Sequence, residues 1–129
     1  MKNHLGLAFI AFSLFLLSFT NFFSIDDVAI AIRSGNISQL SEYLDNRVDI
    51  TLPDRSDTYS KSQAEMIIRD FFSTNEVQSF KIKRKGENSG SEFCIGILKT
   101  RNGDFQTTVF MKQKGDKQLL QEIRFEAVE

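Results

Sequence analysis

The chain has 129 residues, 16 Lys and Arg against 17 Asp and Glu, and a formal charge of −1; so even a balance gives it no global electrostatic reason to seek nucleic acid. A single Cys excludes an intramolecular disulfide, and a single His, His4, leaves the commonest general base and metal ligand almost unrepresented. Stability therefore has to come from packing, in a length that supports one core rather than two.

Lys2 is followed by a nearly uninterrupted apolar run from Leu5 to Phe23 and then by Asp26 and Asp27. A basic start, an apolar middle and an acidic exit form the charge order of an export signal. Ser18 and Thr20 place small residues at the minus-three and minus-one positions of a cleavage site. Residues 1–20 are read as a signal peptide, its boundary no later than 24, and residues 21–129 as one domain exported to the periplasm or secreted. The run also approaches the ~20 apolar residues that cross a bilayer. A retained membrane anchor is thus the alternative, and membrane contact is expected only in that case. His4 leaves with the signal, and no Cys follows the run to carry a lipid.

Ser24 is placed to cap a first helix, with Asp26 and Asp27 in its first turn and Ile25, Val28, Ala29 and Ile32 at helical spacing. Gly35 stops it, and Asn36 with Gln39 opens a second, short helix whose buried face is Ile37, Leu40 and Leu44. Val48, Ile50 and Leu52 alternate with Asp49 and Thr51, a half-buried strand ending at Pro53, and a polar loop from Asp54 to Thr58 follows. Ser60 and Gln63 make a capping box, with Tyr59 before it as a staple against Ala64. It opens a third helix whose apolar stripe is Ala64, Ile67, Ile68, Phe71 and Phe72.

From Phe80 onward the apolar period changes from 3.6 to 2. Four strands are expected, Phe80 to Lys85, Phe93 to Thr100, Phe105 to Gln113 and Leu119 to Ala127, joined at Gly86 to Gly90, Asn102-Gly103 and Gly115-Asp116. Three short turns in succession imply an antiparallel meander, the middle one a type I′ turn with positive φ at both Asn102 and Gly103. Cys94, inside the run Phe93 to Leu98, reads as a small buried hydrophobe rather than a reactive thiol.

Helix, helix, strand, long helix and a four-stranded meander describe an α+β cone in which a curved antiparallel sheet wraps the helices. That order resembles the nuclear transport factor 2-like superfamily. At the level of residues, Ala31-Ile32-Arg33-Ser34-Gly35-Asn36, Tyr59-Ser60-Lys61-Ser62-Gln63-Ala64-Glu65, Asp70-Phe71-Phe72 and Ile95-Gly96-Ile97-Leu98 resemble an uncharacterised family of small exported bacterial proteins, domain of unknown function 4783. The resemblance spans Ile25 to Val128 and implies fold and export, but no activity.

Ketosteroid isomerase-like and dehydratase-like members of the superfamily build an acid–base site in the mouth of the cone. Tyr43, Tyr59, Asp49, Asp54 and Asp57 are the raw material here. Such chemistry needs a carboxylate of raised pKa and a donor within reach inside an apolar pocket. Asp54 and Asp57 fall in a polar loop beside Arg55, and Asp49 alternates away from the buried set. The expectation is a non-catalytic binding or interaction module without cofactor or metal, a small acid–base lyase or isomerase being the alternative. Candidate ligand contacts are Tyr59 at the cone mouth and Lys81, Lys83 and Lys85, which strand alternation puts on one face. They would suit a small apolar or anionic ligand. The plainer reading makes Tyr59 a staple and the lysines protectors of an edge strand.

The turn at Asn102-Gly103 pairs Thr100 with Phe105, Leu98 with Thr107 and Cys94 with Met111 on one face, and Ile97 with Thr108 and Ile95 with Phe110 on the other. Both faces are then apolar while helices cover only one, so a homodimer through the exposed face is expected. A one-residue slip would remix the faces. For export the measurement is N-terminal sequencing of the native protein, which should begin between Asn21 and Ile25; an intact Met1 on soluble cytoplasmic protein would refute it.

Overall fold

The computed structural model describes residues 24–129; the segment read as a signal lies outside the described residues, as does the side chain of Ser24 expected to cap the first helix. Helix α1 (Ser24–Ser34) has its two aspartates in the first turn and Arg33 in the last, both favourable to the helix dipole. Gly35, at φ 65°, ends it. The Gly35 N–H bonds to the Ile32 carbonyl and the Asn36 N–H to the Ala31 carbonyl, both at 3.0 Å, the double closure of a Schellman motif. The Asn36 side chain accepts from the Gln39 N–H to start α2 (Ile37–Ser41). Leu44, expected on the buried face of α2, is instead the first residue of β1 (Leu44–Leu52), because the helix ends one turn earlier.

The polar loop expected from Asp54 to Thr58 is a strand, β2 (Arg55–Ser60). Pro53 and Asp54 alone form the turn, and β2 runs antiparallel to β1 with Leu52 opposite Arg55 and Val48 opposite Tyr59. Only Tyr59 of this strand is even partly buried, so no apolar alternation advertises it. Its pairing is reinforced by the Thr58 hydroxyl donating to Asp49 and by the Thr51 and Ser56 hydroxyls bonding at 2.9 Å.

Helix α3 (Lys61–Asn75) starts where expected. The Gln63 N–H bonds to Ser60 Oγ and the Ser60 N–H to Gln63 Oε1, each at 3.3 Å, closing both halves of the capping box. Ala64, Ile68, Phe71 and Phe72 are buried, while Glu65 and Arg69 pair one turn apart on the wet side at 3.0 Å. No helix among the described residues is long and apolar enough to cross a membrane.

The remaining strands are β3 (Val77–Asn88), β4 (Ser91–Thr100), β5 (Gly103–Lys114) and β6 (Lys117–Ala127). All are longer than expected, and every connection between them is two residues. The first is Ser89-Gly90, not Gly86 to Gly90, and carries the I′ pattern of positive φ at both positions, 49° and 83°. The second is Arg101-Asn102, with Thr100 opposite Gly103. Here positive φ, 122°, falls on Gly103 alone, so the turn is not type I′, which needs positive φ at both of its central residues. Gly115-Asp116 is as expected, between Lys114 and Lys117.

Moving the second turn back by one residue moves the β4 and β5 register by two. Leu98 faces Phe105, Gly96 faces Thr107, Cys94 faces Val109, Ile95 faces Thr108 and Phe93 faces Phe110. A two-residue shift preserves side-chain parity, so the expected division into two faces survives although every partner changes.

The sheet order is β2-β1-β6-β5-β4-β3. It is mixed rather than antiparallel throughout, since β1 and β6 run parallel. That follows from β2 and α3 intervening between β1 and the meander, which brings the last strand back alongside the first. Single-residue register shifts in β3 and β6 are bulges, the usual means by which a sheet is bent, and between Leu44 and Asp49 the pairing of β1 with β6 is irregular. The helices lie on its inner face, where Ile32, Leu40, Ile68, Leu98, Ile123 and Phe125 are fully buried in one core cluster. Phe71 stacks on Phe125 with ring centroids 4.2 Å apart and meets Phe105 edge-on at 5.1 Å. Gly96 makes room for the Phe80 ring, which would lie 2.7 Å from any Cβ placed there.

Ser60→Ala should lower the unfolding free energy by about 1 kcal/mol, the worth of an N-cap, read as a shifted denaturant midpoint. Phe71→Ala should lower it by about 3 to 5 kcal/mol, and a loss no larger than that of Ser60→Ala would mean that the ring is not part of the core.

Candidate interaction surface

The sequence-predicted acid–base residues do not converge. Asp49 is exposed and accepts from Thr58. Asp54 sits in the β1–β2 turn, and exposed Asp57 accepts from the Thr58 N–H at 2.8 Å. Tyr43, partly buried between α2 and β1, has its phenol raised above the ordinary value by burial first and then by the Asp27 carboxylate beside it. Sequence reasoning did not select that pair, and a phenol pushed upward moves away from the range useful for proton transfer near neutrality. Asp45 is buried at the β1–β6 seam. Burial acts to raise its carboxyl, but hydrogen bonds from Lys114 Nζ at 2.7 Å, Gln121 Nε2 at 3.1 Å and the Asn46 N–H at 2.7 Å together hold it below the usual range. This is a structural clasp: Gln121 is the extra residue of the β6 bulge, and its side chain is spent on the same carboxylate. Cys94 lies under α1 with its thiol pushed up to about 11 by burial and by Asp26, so the thiolate is scarce at neutral pH. Among the described residues no group of His, Cys, Asp or Glu is arranged to hold a metal ion.

The expected ligand contacts are also dispersed. Tyr59 faces the core from β2, at one edge of the sheet, while the three lysines belong to β3, at the other edge. Nor do the lysines share a face. Ile82 pairs with Gly96 and Arg84 with Ile95, which makes Lys83 the extra residue of a bulge and reverses the alternation beyond it. Lys81, opposite Ile97, stays on the outer face and Arg84 joins it there. Lys85, opposite Cys94, turns inward and donates to Asp26 of α1 at 3.1 Å. That ion pair lies in an open cleft of about 290 Å³ shared with Ile25, Gly86, Glu87 and Glu92. Burial raises the Glu92 carboxyl, opposed by a bond from the Ile25 backbone. With three carboxylates to one lysine, the cleft is acidic in balance. A second open cleft, of about 270 Å³, lies where α3 meets the start of β3, lined by Ile37, Arg69, Phe72 and Val77 among others.

The outer face of the sheet is the larger feature. Cross-strand pairing arranges it in rows. One row runs Gly86, Phe93, Phe110, Glu122, Asp49; the next Arg84, Ile95, Thr108, Arg124, Thr51; the third Lys81, Ile97, Gln106, Glu126. Its middle two strands present Phe93, Ile95, Ile97 and Phe110, flanked by cations on β3 and by Glu122, Glu126 and Asp49 on β6 and β1. Phe93 and Phe110 are near neighbours, with centroids 6.2 Å apart. The Phe93 ring lies down over Gly86, where a Cβ would approach it to 2.5 Å. Thr108, at the centre, is only 7% exposed, whereas Phe110 is 39% exposed. Sequence reasoning named the apolar strip and missed its charged flanks, although the alternation Glu122, Arg124, Glu126 was there to be read.

No curated protein matches this chain. Three solved structures place it. A DUF4783 family protein from Bacteroides uniformis is 33% identical, with a TM-score of 0.78 over 81% of this chain and 96% of that one. A nuclear transport factor 2-like protein of unknown function from Cytophaga hutchinsonii is 6% identical, with a TM-score of 0.59 over 81% and 86%. A proposed ketosteroid isomerase from Kribbella flavida is 11% identical, with a TM-score of 0.59 over 81% and 75%; these last two likenesses concern the fold alone. The model of the domain of unknown function DUF4783 matches residues 25–126, essentially everything the structure describes, and the chain therefore belongs to the DUF4783 family, with a nuclear transport factor 2-like fold.

Proposed function

We propose that the protein is an exported, non-catalytic binding module that works through the outer face of its sheet. The observation that carries this reading is the contrast between the two faces. Inside, side chains pack into one core, Phe71 stacked on Phe125 and Phe105 edge-on against it. Outside, no helix among the described residues covers Phe93, Ile95, Ile97 and Phe110. Contiguous apolar surface rimmed by charge marks interaction sites. The alternative, an acid–base lyase or isomerase, draws its support from a structural likeness at 11% identity, and the acid–base groups are spread over the surface. Export remains supported by the charge order of residues 1–27 alone.

The test is photo-crosslinking in the producing cell, from a reactive residue placed at Ile95 and, as control, at Met66, which is 61% exposed on α3. Polypeptide adducts, whether to another protein or to the same chain, should form from position 95 and be absent from position 66. Equal adducts from both positions, or none from 95, would overturn the reading.

A further inference from the structure

We propose that Asn102 is a modification site: the Gly103 nitrogen attacks the Asn102 side-chain amide and expels its ammonia, a reaction that docking of the turn on α3 holds back and undocking releases. It is independent of the outer face and concerns a motif that the fold leaves without its expected role. Asn102-Gly103 is the only Asn-Gly pair in the chain, and the turn is formed by Arg101 and Asn102 instead. Asparagine is among the thermolabile residues, most so before glycine, where no side chain hinders the approaching nitrogen. Both residues are exposed, and nothing lies within 4 Å of the position a Gly103 Cβ would take.

The step needs no reactant but water. The Gly103 nitrogen gives its proton to solvent base and bonds to Cγ of Asn102, closing a cyclic imide. The Cγ–Nδ2 bond breaks, and the amide group leaves as ammonia after taking a proton from solvent. Water then opens the ring, at the side-chain carbonyl to give aspartate or at the backbone carbonyl to give isoaspartate. For the ring to close, the carboxamide has to swing over the following peptide, so the side chain and the backbone of Asn102 must both turn.

The docked turn opposes that rotation. Asn102 Nδ2, the leaving group, donates to the Thr74 carbonyl at 2.8 Å and to Asn75 Oδ1 at 3.4 Å. The Thr100 hydroxyl accepts from the Asn102 N–H at 3.1 Å and donates to the Gly103 carbonyl at 2.7 Å, so one oxygen pins both ends of the reacting dipeptide. The Arg101 N–H, shared between the carbonyls of Asn75 and Glu76 at 2.9 and 3.1 Å, holds the residue before it. Exposed contacts of this kind open locally at a fraction of the cost of unfolding, and each opening frees the pair to react. The product does not redock. A carboxylate at position 102 has no N–H for the Thr74 carbonyl, and it brings negative charge to the C-terminal end of α3, where the helix dipole disfavours it. The fraction of chains converted therefore records the time the turn has spent undocked.

The test is incubation of the purified protein at mildly alkaline pH, folded and in denaturant, followed by digestion. Mass spectrometry reads the exchange of NH2 for OH at Asn102, with Asn88, which precedes Ser89 in the first hairpin, as internal reference. Asn102 should convert about tenfold more slowly in the folded protein than in denaturant. Thr100→Val should recover part of that factor in the folded protein, leaving Asn88 and the rate in denaturant unchanged. Asn102→Asp, the product itself, should lower the denaturant midpoint further than Asn102→Ala, which loses the same bonds without gaining the charge. Equal or faster conversion in the folded protein overturns the proposal, and that comparison stands whether or not Thr100→Val folds. A folded Thr100→Val protein that converts no faster, or that speeds Asn88 equally, overturns the role of local docking. An Asn102→Asp midpoint no lower than that of Asn102→Ala overturns the claim that the product stays undocked.

Discussion

Burial of Phe125 between Phe71 and Phe72 is the contact on which the rest of the cone depends. It joins α3 to β6, with ring centroids 4.2 Å and 6.2 Å from Phe125, and β6 is the strand with β1 on one side and β5 on the other. The helical half and the meander therefore share one aromatic joint. Aromatic pairs in such offset and edge-on arrangements add about 0.5 to 1.5 kcal/mol each to the area they bury, so the joint both stabilises the core and fixes the angle at which the sheet wraps it.

A second set of contacts tells why the register between β4 and β5 is what it is. The Arg101-Asn102 turn docks on the C-terminal end of α3, where Asn102 Nδ2 donates to the Thr74 carbonyl at 2.8 Å and the Arg101 N–H to that of Asn75 at 2.9 Å. The last carbonyls of a helix lack partners within it, and this turn supplies them from another element. Thr100 closes the turn by donating its hydroxyl to the Gly103 carbonyl at 2.7 Å and accepting from the Asn102 N–H. Asn102 is thus committed to the helix end, and the glycine behind it takes the positive φ. The hairpin rule for Asn-Gly describes an isolated ribbon; here a tertiary contact decides which two residues turn.

That difference marks the border of what the residues announce locally. The capping box at Ser60, the glycine stop at Gly35, the apolar stripe of α3 and the alternation of the meander are all local patterns, and each lies where the pattern puts it. Strand β2 has no such pattern, since its residues are polar on both faces and it is held by backbone pairing and two hydroxyl contacts. The bulge at Lys83 is equally silent, because an inserted residue in a run of basic side chains does not interrupt any apolar period, and only pairing with β4 shows that Lys85 has changed face. The candidate surface was half legible. Its apolar strip follows from alternation, which a two-residue shift leaves intact, while its charge columns depend on which strands become neighbours.

The parallel seam between β1 and β6 also joins residues far apart in the chain. Asp49 pairs with Glu122 and Thr51 with Arg124, so the loop closed by that seam spans most of the domain and has to be closed before the core is complete. Contacts of such long range slow folding and are made late. Helices and hairpins can form as the chain emerges, but the aromatic joint waits for Phe125, near the end of the last described strand. A nascent chain of this topology stays open through most of its synthesis, with its apolar strands unsealed. That is the condition in which a polypeptide is most exposed to aggregation.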